Sequence, residues 1–228
     1  MSKTIVKQNL CDPRNYRSYR KQSIKYIVLH YTAGVGDTDE GNGIYFAGRD
    51  TGDTSAHYFV DEDSITQSVQ DNACAFHCGG TSYRHAECRN DNAIGIEMCS
   101  DKDVNGNYII TPATVNNAVE LTKYLMDKYS VPIDRVIRHY DVTGKNCPAP
   151  WVQDESQWTA FKTRLVEGVI DLALEKWMVE GGEAALDALA AKGLINTPDT
   201  KKGEAKLAAN IPAYLFWMMM NRLAEYKG

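Results

Sequence analysis

The stretch IKYIVLH, residues 24–30, decides the reading of the fold. It is rich in β-branched and aromatic residues, the mark of a buried strand, and it ends on a histidine. Upstream, the first 20 residues are polar, with Pro13, Asn15 and several arginines, and predict an irregular arm leading into that strand. Downstream, glycines at 34, 36, 41, 43, 48 and 52 predict mostly loop over residues 32–54, with a short helix near 44–48. Residues 56–61 and 65–69 read as two strands joined by the acidic turn Glu62-Asp63-Ser64. NAIGIEMC, residues 92–99, reads as another core strand, followed by a turn at Asn105-Gly106-Asn107. Its alternation puts Glu97 on one face with Gly95 and Cys99, opposite Ile94, Ile96 and Met98.

Apolar residues at 115, 118, 119, 121, 125 and 126 form a helical stripe over residues 114–129, and Thr111-Pro112 supplies its start. A short strand over 136–139 and a helix over 154–165 complete a mixed α/β domain, residues 1–165, with a central sheet flanked by helices. Residues 166–228 contain no β-type run. Helical signals recur there at 169–178, 183–192 and 213–226, with Gly181-Gly182 and Gly193 as stops and Pro212 at a start. They predict a small all-helical module.

The 228 residues suit one sizeable domain with a small appendage. A hydrophobic share of 43% and a charged share of 24% are ordinary for a globular chain. The net charge of −5 argues against a general nucleic-acid binder, and no polybasic segment signals a membrane surface. No run reaches the roughly 18 apolar residues of a spanning helix. The N-terminus lacks the apolar core of a secretory signal, which predicts a protein kept in the cytosol until something releases it.

Three residues stand out by position. His30 ends the first core strand, His139 ends a later one, and Cys147 follows eight residues on in a loop punctuated by glycine and proline. Two imidazoles and a thiolate form a set that zinc favours, and three protein ligands leave a fourth position for water. The spacing is not that of a zinc finger, so on residue types alone these side chains could equally be packed core residues.

The segments IVLHYTAG (27–34), SAHYFVD (55–61), NAIGIEM (92–98) and IRHYDVTGKNCPAP (137–150), followed by Trp151, occur in that order. Together they resemble the type 2 N-acetylmuramoyl-L-alanine amidases, relatives of animal peptidoglycan-recognition proteins and of phage amidases. The resemblance runs from about residue 20 to 165. It implies a mixed sheet with a substrate groove over one face and one catalytic zinc ion at its floor, held by His30, His139 and Cys147. It implies that Glu97 activates the water at the metal and that Lys145 steadies the oxyanion, with His57 and His77 lining the groove. A solvated strand-end Glu97, an exposed loop Lys145 and packed histidines at 57 and 77 are the plainer readings of the same residues. The substrate implied is bacterial peptidoglycan, cut between the muramic acid lactyl group and L-alanine. A chain without a leader then fits a phage endolysin that waits in the cytosol and acts on the cell wall.

Two other functions use the same residues: a peptidoglycan-binding protein without activity, and a metal-free hydrolase with Cys147 as nucleophile and His139 as base. Cys74, Cys78, His85 and Cys88 could form a second zinc site, or Cys74 and Cys78 a disulfide like the one that braces this region in some relatives. Free thiols are the simpler expectation there, and for Cys11 and Cys99. Apolar and aromatic residues at helical spacing beyond 166 fit a wall-anchoring module, or a homodimer formed through the surface of residues 214–220.

Overall fold

The structure is a computed structural model and describes residues 5–166. In chain order the elements are β1 (Ile5–Gln8), β2 (Tyr16–Arg17), β3 (Tyr26–Tyr31), α1 (Asp39–Ala47), β4 (Tyr58–Val60), β5 (Ser64–Gln67), β6 (Cys74–Ala75), β7 (Ala93–Met98), β8 (Asp101–Lys102), β9 (Tyr108–Ile109), α2 (Pro112–Tyr129), β10 (Val136–Arg138), α3 (His139–Thr143), α4 (Ala149–Gln153) and α5 (Glu155–Val166). Six strands form one mixed sheet in the order β1-β5-β4-β7-β3-β10. Strands β4, β7, β3 and β10 run parallel, while β5 is antiparallel to β4 and carries β1 parallel to itself at the edge.

Period-two alternation sorts the side chains onto two faces. Ile27 and Leu29 of β3 join Ile94, Ile96 and Met98 of β7, with Tyr58, Val60 and Ile65, on the first face. That face is covered by Ala118, Val119, Leu121 and Leu125 of α2 and by Trp158, Phe161 and Leu165 of α5. Trp151, Trp158 and Phe161 pack ring on ring there, with centroids 4.7–5.7 Å apart. On the second face α1 covers the β4–β5 end, where Phe46 stacks on Phe59 and Asp39 accepts from Ser64 and Thr66. Next to it, Tyr26, Val28, Ala93 and Ile137 pack against Cys78, Cys88 and Val142.

The predicted mixed sheet and its flanking helices are present, with three local differences. The polar arm contributes β1, whose backbone pairs with β5 at the edge, where no apolar face is required of it. α1 starts at Asp39 rather than 44 because the Thr38 hydroxyl accepts from the Gly41 amide, 3.1 Å, and caps it. Gly43 sits inside that helix because a Cβ there would lie 2.7 Å from the Thr66 methyl group. His139 does not end a strand: β10 stops at Arg138, and His139 is the first residue of α3. The helical module predicted from 166 onward lies, apart from Val166, outside the described residues.

Asp71 ties the two layers together. It accepts from Tyr58 (2.7 Å) on the sheet and from Lys128 (2.9 Å) and Tyr129 on α2. Burial raises its carboxyl, but the hydrogen bonds from Tyr129, Tyr58 and Lys128 outweigh this and hold it below its ordinary value. Its stabilisation is therefore complete above the usual carboxyl range near pH 4 and is lost as pH falls through the lower folded value. Asp71→Asn is expected to cost about 1–3 kcal/mol at neutral pH. Urea midpoints of variant and parent should then converge at about pH 2. An equal gap at both pH values would show that the carboxylate charge does not matter there.

Candidate metal centre

The site forms at the C-terminal ends of the parallel strands, on the second face. In β3 the alternation Tyr26, Val28, His30 points His30 to that face, and in β7 the alternation Ala93, Gly95, Glu97 does the same for Glu97. The register makes His30 and Glu97 direct partners on neighbouring parallel strands. Arg138 partners Leu29, so His139 follows one step on, beside His30.

Two devices fix the remaining geometry. The Arg138 guanidinium binds Asp141, the Trp151 carbonyl and Glu155 at 2.6–3.1 Å, while the Arg138 amide donates to Asp141, 2.8 Å. This sets the first turn of α3 and the angle at which His139 leaves it. The Tyr140 amide then donates to the Cys147 carbonyl, 2.9 Å, and folds the loop back on that turn. Gly144 closes α3 at φ +88°, and a Cβ there would lie 2.5 Å from the Arg84 guanidinium, so only glycine suits the position.

The ligand atoms of His30, His139 and Cys147 all lie within 4.8 Å of one another, and all three residues are buried. Cys147 Sγ is 3.8 Å from His30 Nδ1, and Glu97 Oε1 is 4.0 Å from that same nitrogen. Burial keeps His30 neutral, helped by the neighbouring His77 and His139 rings and by Lys145. Burial and the Lys145 cation take His139 down to about 4. Burial and the Glu97 charge push the Cys147 thiol up to about 12, with Tyr31 and Lys145 opposing. Burial also pushes Glu97 up to about 8; Lys145 pulls the other way and Asp37 adds to the rise.

Among the described residues both ring nitrogens of His139, and Glu97 Oε2, are buried without a hydrogen-bond partner. Each buried polar atom left unmatched costs about 1–3 kcal/mol. A cation in the gap between two neutral imidazoles and a thiol answers that deficit, and two nitrogens with one sulfur are a ligand set suited to zinc with one position open. The residues present therefore fit a zinc ion.

Lys145 is exposed, and its cation bears on His30, Glu97, His139 and Cys147. His77 is brought against the back of His30, with Nδ1 3.0 Å from His30 Nε2. His57 is 0% exposed and lies a layer deeper: the Gly95 amide donates to its Nδ1, 2.9 Å, and Arg20 Nη2 is 2.6 Å from its Nε2. No local motif in the sequence marks Arg20 or Asp37. The role of Gly95 has no motif either, although a glycine inside a strand signals close approach. Among the described residues the cysteine-rich stretch near His77 gathers no second metal group; all six cysteines are free and buried.

Zinc must displace the Cys147 proton, and its charge lowers the Glu97 carboxyl as well. Zinc loading at about pH 7 is therefore expected to release between about one and two protons per ion, measured calorimetrically in buffers of different ionisation enthalpy. Glu97→Gln should bind zinc and release fewer. A release near zero would remove Cys147 from the ligand set.

Comparison with known proteins gives the chain its family. A probable N-acetylmuramoyl-L-alanine amidase from Bacillus licheniformis is 37% identical over 150 residues, covering 63% of this chain and 41% of the relative. The N-acetylmuramoyl-L-alanine amidase BlyA of Bacillus subtilis (strain 168) is 36% identical over 157 residues, with the same coverage of 63% and 41%. The matched region thus spans about two-fifths of the length of these relatives. Of the solved structures, the catalytic domain of XlyA matches with a TM-score of 0.59 at 27% identity, covering 71% of this chain and 99% of that one. A mutant endolysin from Bacillus subtilis matches with a TM-score of 0.59 at 28% identity, covering 72% and 99%. Residues 20–150, which hold His30, Glu97, His139, Lys145 and Cys147, match the N-acetylmuramoyl-L-alanine amidase family (Amidase_2), and the chain belongs to that family.

Proposed function

We propose that this chain is a bacteriolytic, endolysin-like zinc amidase. It hydrolyses the amide between the lactyl group of N-acetylmuramic acid and the L-alanine of the peptidoglycan stem peptide. The observation that carries the reading is the buried His30–His139–Cys147 set, with a carboxyl 4.0 Å from its first ligand, in a chain of the amidase family. A zinc ion held there supplies Lewis acidity toward the scissile carbonyl and lowers the pKa of water. Glu97 takes a proton from the attacking water and returns it to the leaving alanine amine. A carboxyl biased upward by burial, beside a cation that draws it back, is suited to both halves of that transfer near neutral pH. Lys145, exposed at the rim, offers its ammonium to the carbonyl oxygen as it gains charge.

The thiol reading fits less well. A nucleophilic cysteine needs a depressed pKa and access, whereas the Cys147 thiol is raised to about 12, is 2% exposed and approaches His30 rather than His139 as its base. A purely binding role leaves Glu97 at the metal position without purpose. For residues 166–228 we propose a wall-targeting module, self-association being the other reading, with action at the cell wall.

Purified peptidoglycan treated with the chain should gain N-terminal alanine without new reducing sugar, and the gain should follow zinc stripping and add-back. Glu97→Gln is expected to lower kcat about 10²- to 10⁴-fold with zinc content unchanged. Cleavage that survives complete demetallation would restore the thiol mechanism. Binding to wall without cleavage would make the chain a recognition protein.

A further inference from the structure

We infer that His77 is a positioning residue for the metal: its Nδ1 accepts a hydrogen bond from His30 Nε2 and thereby fixes His30 to present Nδ1 to the ion. This rests on the zinc reading above and adds a role for a residue that does not touch the metal. Of the two His30 nitrogens, Nδ1 faces Cys147 Sγ (3.8 Å) and Glu97 (4.0 Å), while Nε2 faces His77 Nδ1 at 3.0 Å. A metal on Nδ1 uses that lone pair, so the ring proton belongs on Nε2, and a buried Nε2–H needs an acceptor. Among the described residues His77 Nδ1 is the acceptor hydrogen-bonded to it. His77 then carries its own proton on Nε2, which has no partner among the described residues.

The surroundings are built to hold that ring in place. Gly95 forms its floor: a Cβ at 95 would lie 2.5 Å from His77 Cγ and 2.6 Å from Nδ1. His57 meets it edge to face, centroids 5.5 Å apart at 78°, and is anchored by the Gly95 amide and Arg20. The Asn90 side chain accepts from the His77 and Cys78 amides, at 3.1 and 2.8 Å. His77 itself is 8% exposed, so its imidazole faces the ligand rather than an open groove. An outer hydrogen bond of this kind sets ring orientation and ligand basicity, and its loss lowers metal affinity about 10- to 100-fold.

The test compares two nearly isosteric variants of the full chain. His77→Asn keeps an acceptor near the Nδ1 position, and His77→Leu does not. Zinc affinity is measured by competition with a chromophoric chelator, the ligand field by the visible spectrum of the cobalt-substituted protein, and fold integrity by urea unfolding of the metal-free forms. His77→Leu should bind zinc about 10- to 100-fold more weakly and show altered cobalt bands, while His77→Asn recovers most of the affinity at equal metal-free stability. If His77→Leu does not fold, His77→Phe keeps the ring volume without an acceptor and should show the same loss. Tight zinc binding by the parent together with equal affinity in the Leu or Phe variant would overturn the role of His77 alone, as would equal losses in the Leu and Asn variants. A parent chain with no zinc affinity would overturn the metal site and this role with it.

Discussion

The parallel pairing of β3 with β7 is the constraint on which the site depends. Because Leu29 meets Ile96 and His30 meets Glu97, the step that buries an aliphatic pair in the main core also turns a histidine and a carboxyl together onto the opposite face. A slip of β7 by one residue would exchange its faces and put Glu97 among Ile27, Leu29 and Leu125, where an unpaired carboxylate is not tolerated. Register and site are therefore selected by the same hydrophobic pattern. The α2 and α5 layer covers the first face, and Glu155 of α5 reaches the Arg138 guanidinium that sets the turn carrying His139.

On the second face the sheet does something less common for a protein interior. It gathers four buried histidines, His30, His57, His77 and His139, beside one buried cysteine and the partly buried carboxyl of Glu97. Neutral imidazoles tolerate burial when each nitrogen is matched. His57 is matched by protein groups and His30 by His77 on one side, while His77 Nε2 and both nitrogens of His139 have no hydrogen-bond partner among the described residues. Above a satisfied floor at Arg20 and His57, the unmatched atoms belong to His77, His139 and Glu97. That is the arrangement expected where the uppermost groups are completed by an ion.

How much of this could be read beforehand depended on how local the cause was. Strands β3 and β7 and helix α2 announce themselves, since IKYIVLH and NAIGIEMC are runs set by burial and Thr111-Pro112 is a helix start. β1 was not legible, because an edge strand that pairs only through its backbone needs no apolar pattern. Nor was the start of α1, where one threonine hydroxyl overrides two glycines. His30, His139 and Cys147 could be grouped because ordered motifs carried them together. His77 drew notice only as a border of the groove. Its place behind His30 depends on a loop crossing the sheet and on the missing side chain of Gly95, and both are tertiary facts. Asp37 and Arg20 act through space on Glu97 and His57, and nothing in their own neighbourhoods records it.

β10 is three residues long and, among the described residues, lies at the outer edge of the sheet with β3 as its one strand neighbour. His30 lies on β3, while His139 and Cys147 follow β10, and Cys147 is 117 positions beyond His30. An ion held by all three is then also a cross-link, tying the outermost strand and its following loop to the centre of the sheet. Such an ion binds the folded chain and leaves the unfolded one, so its binding free energy adds to the stability of the fold. The same ion that serves the chemistry would thus also hold the β10 edge to β3, so that loss of metal and fraying of that edge become a single event.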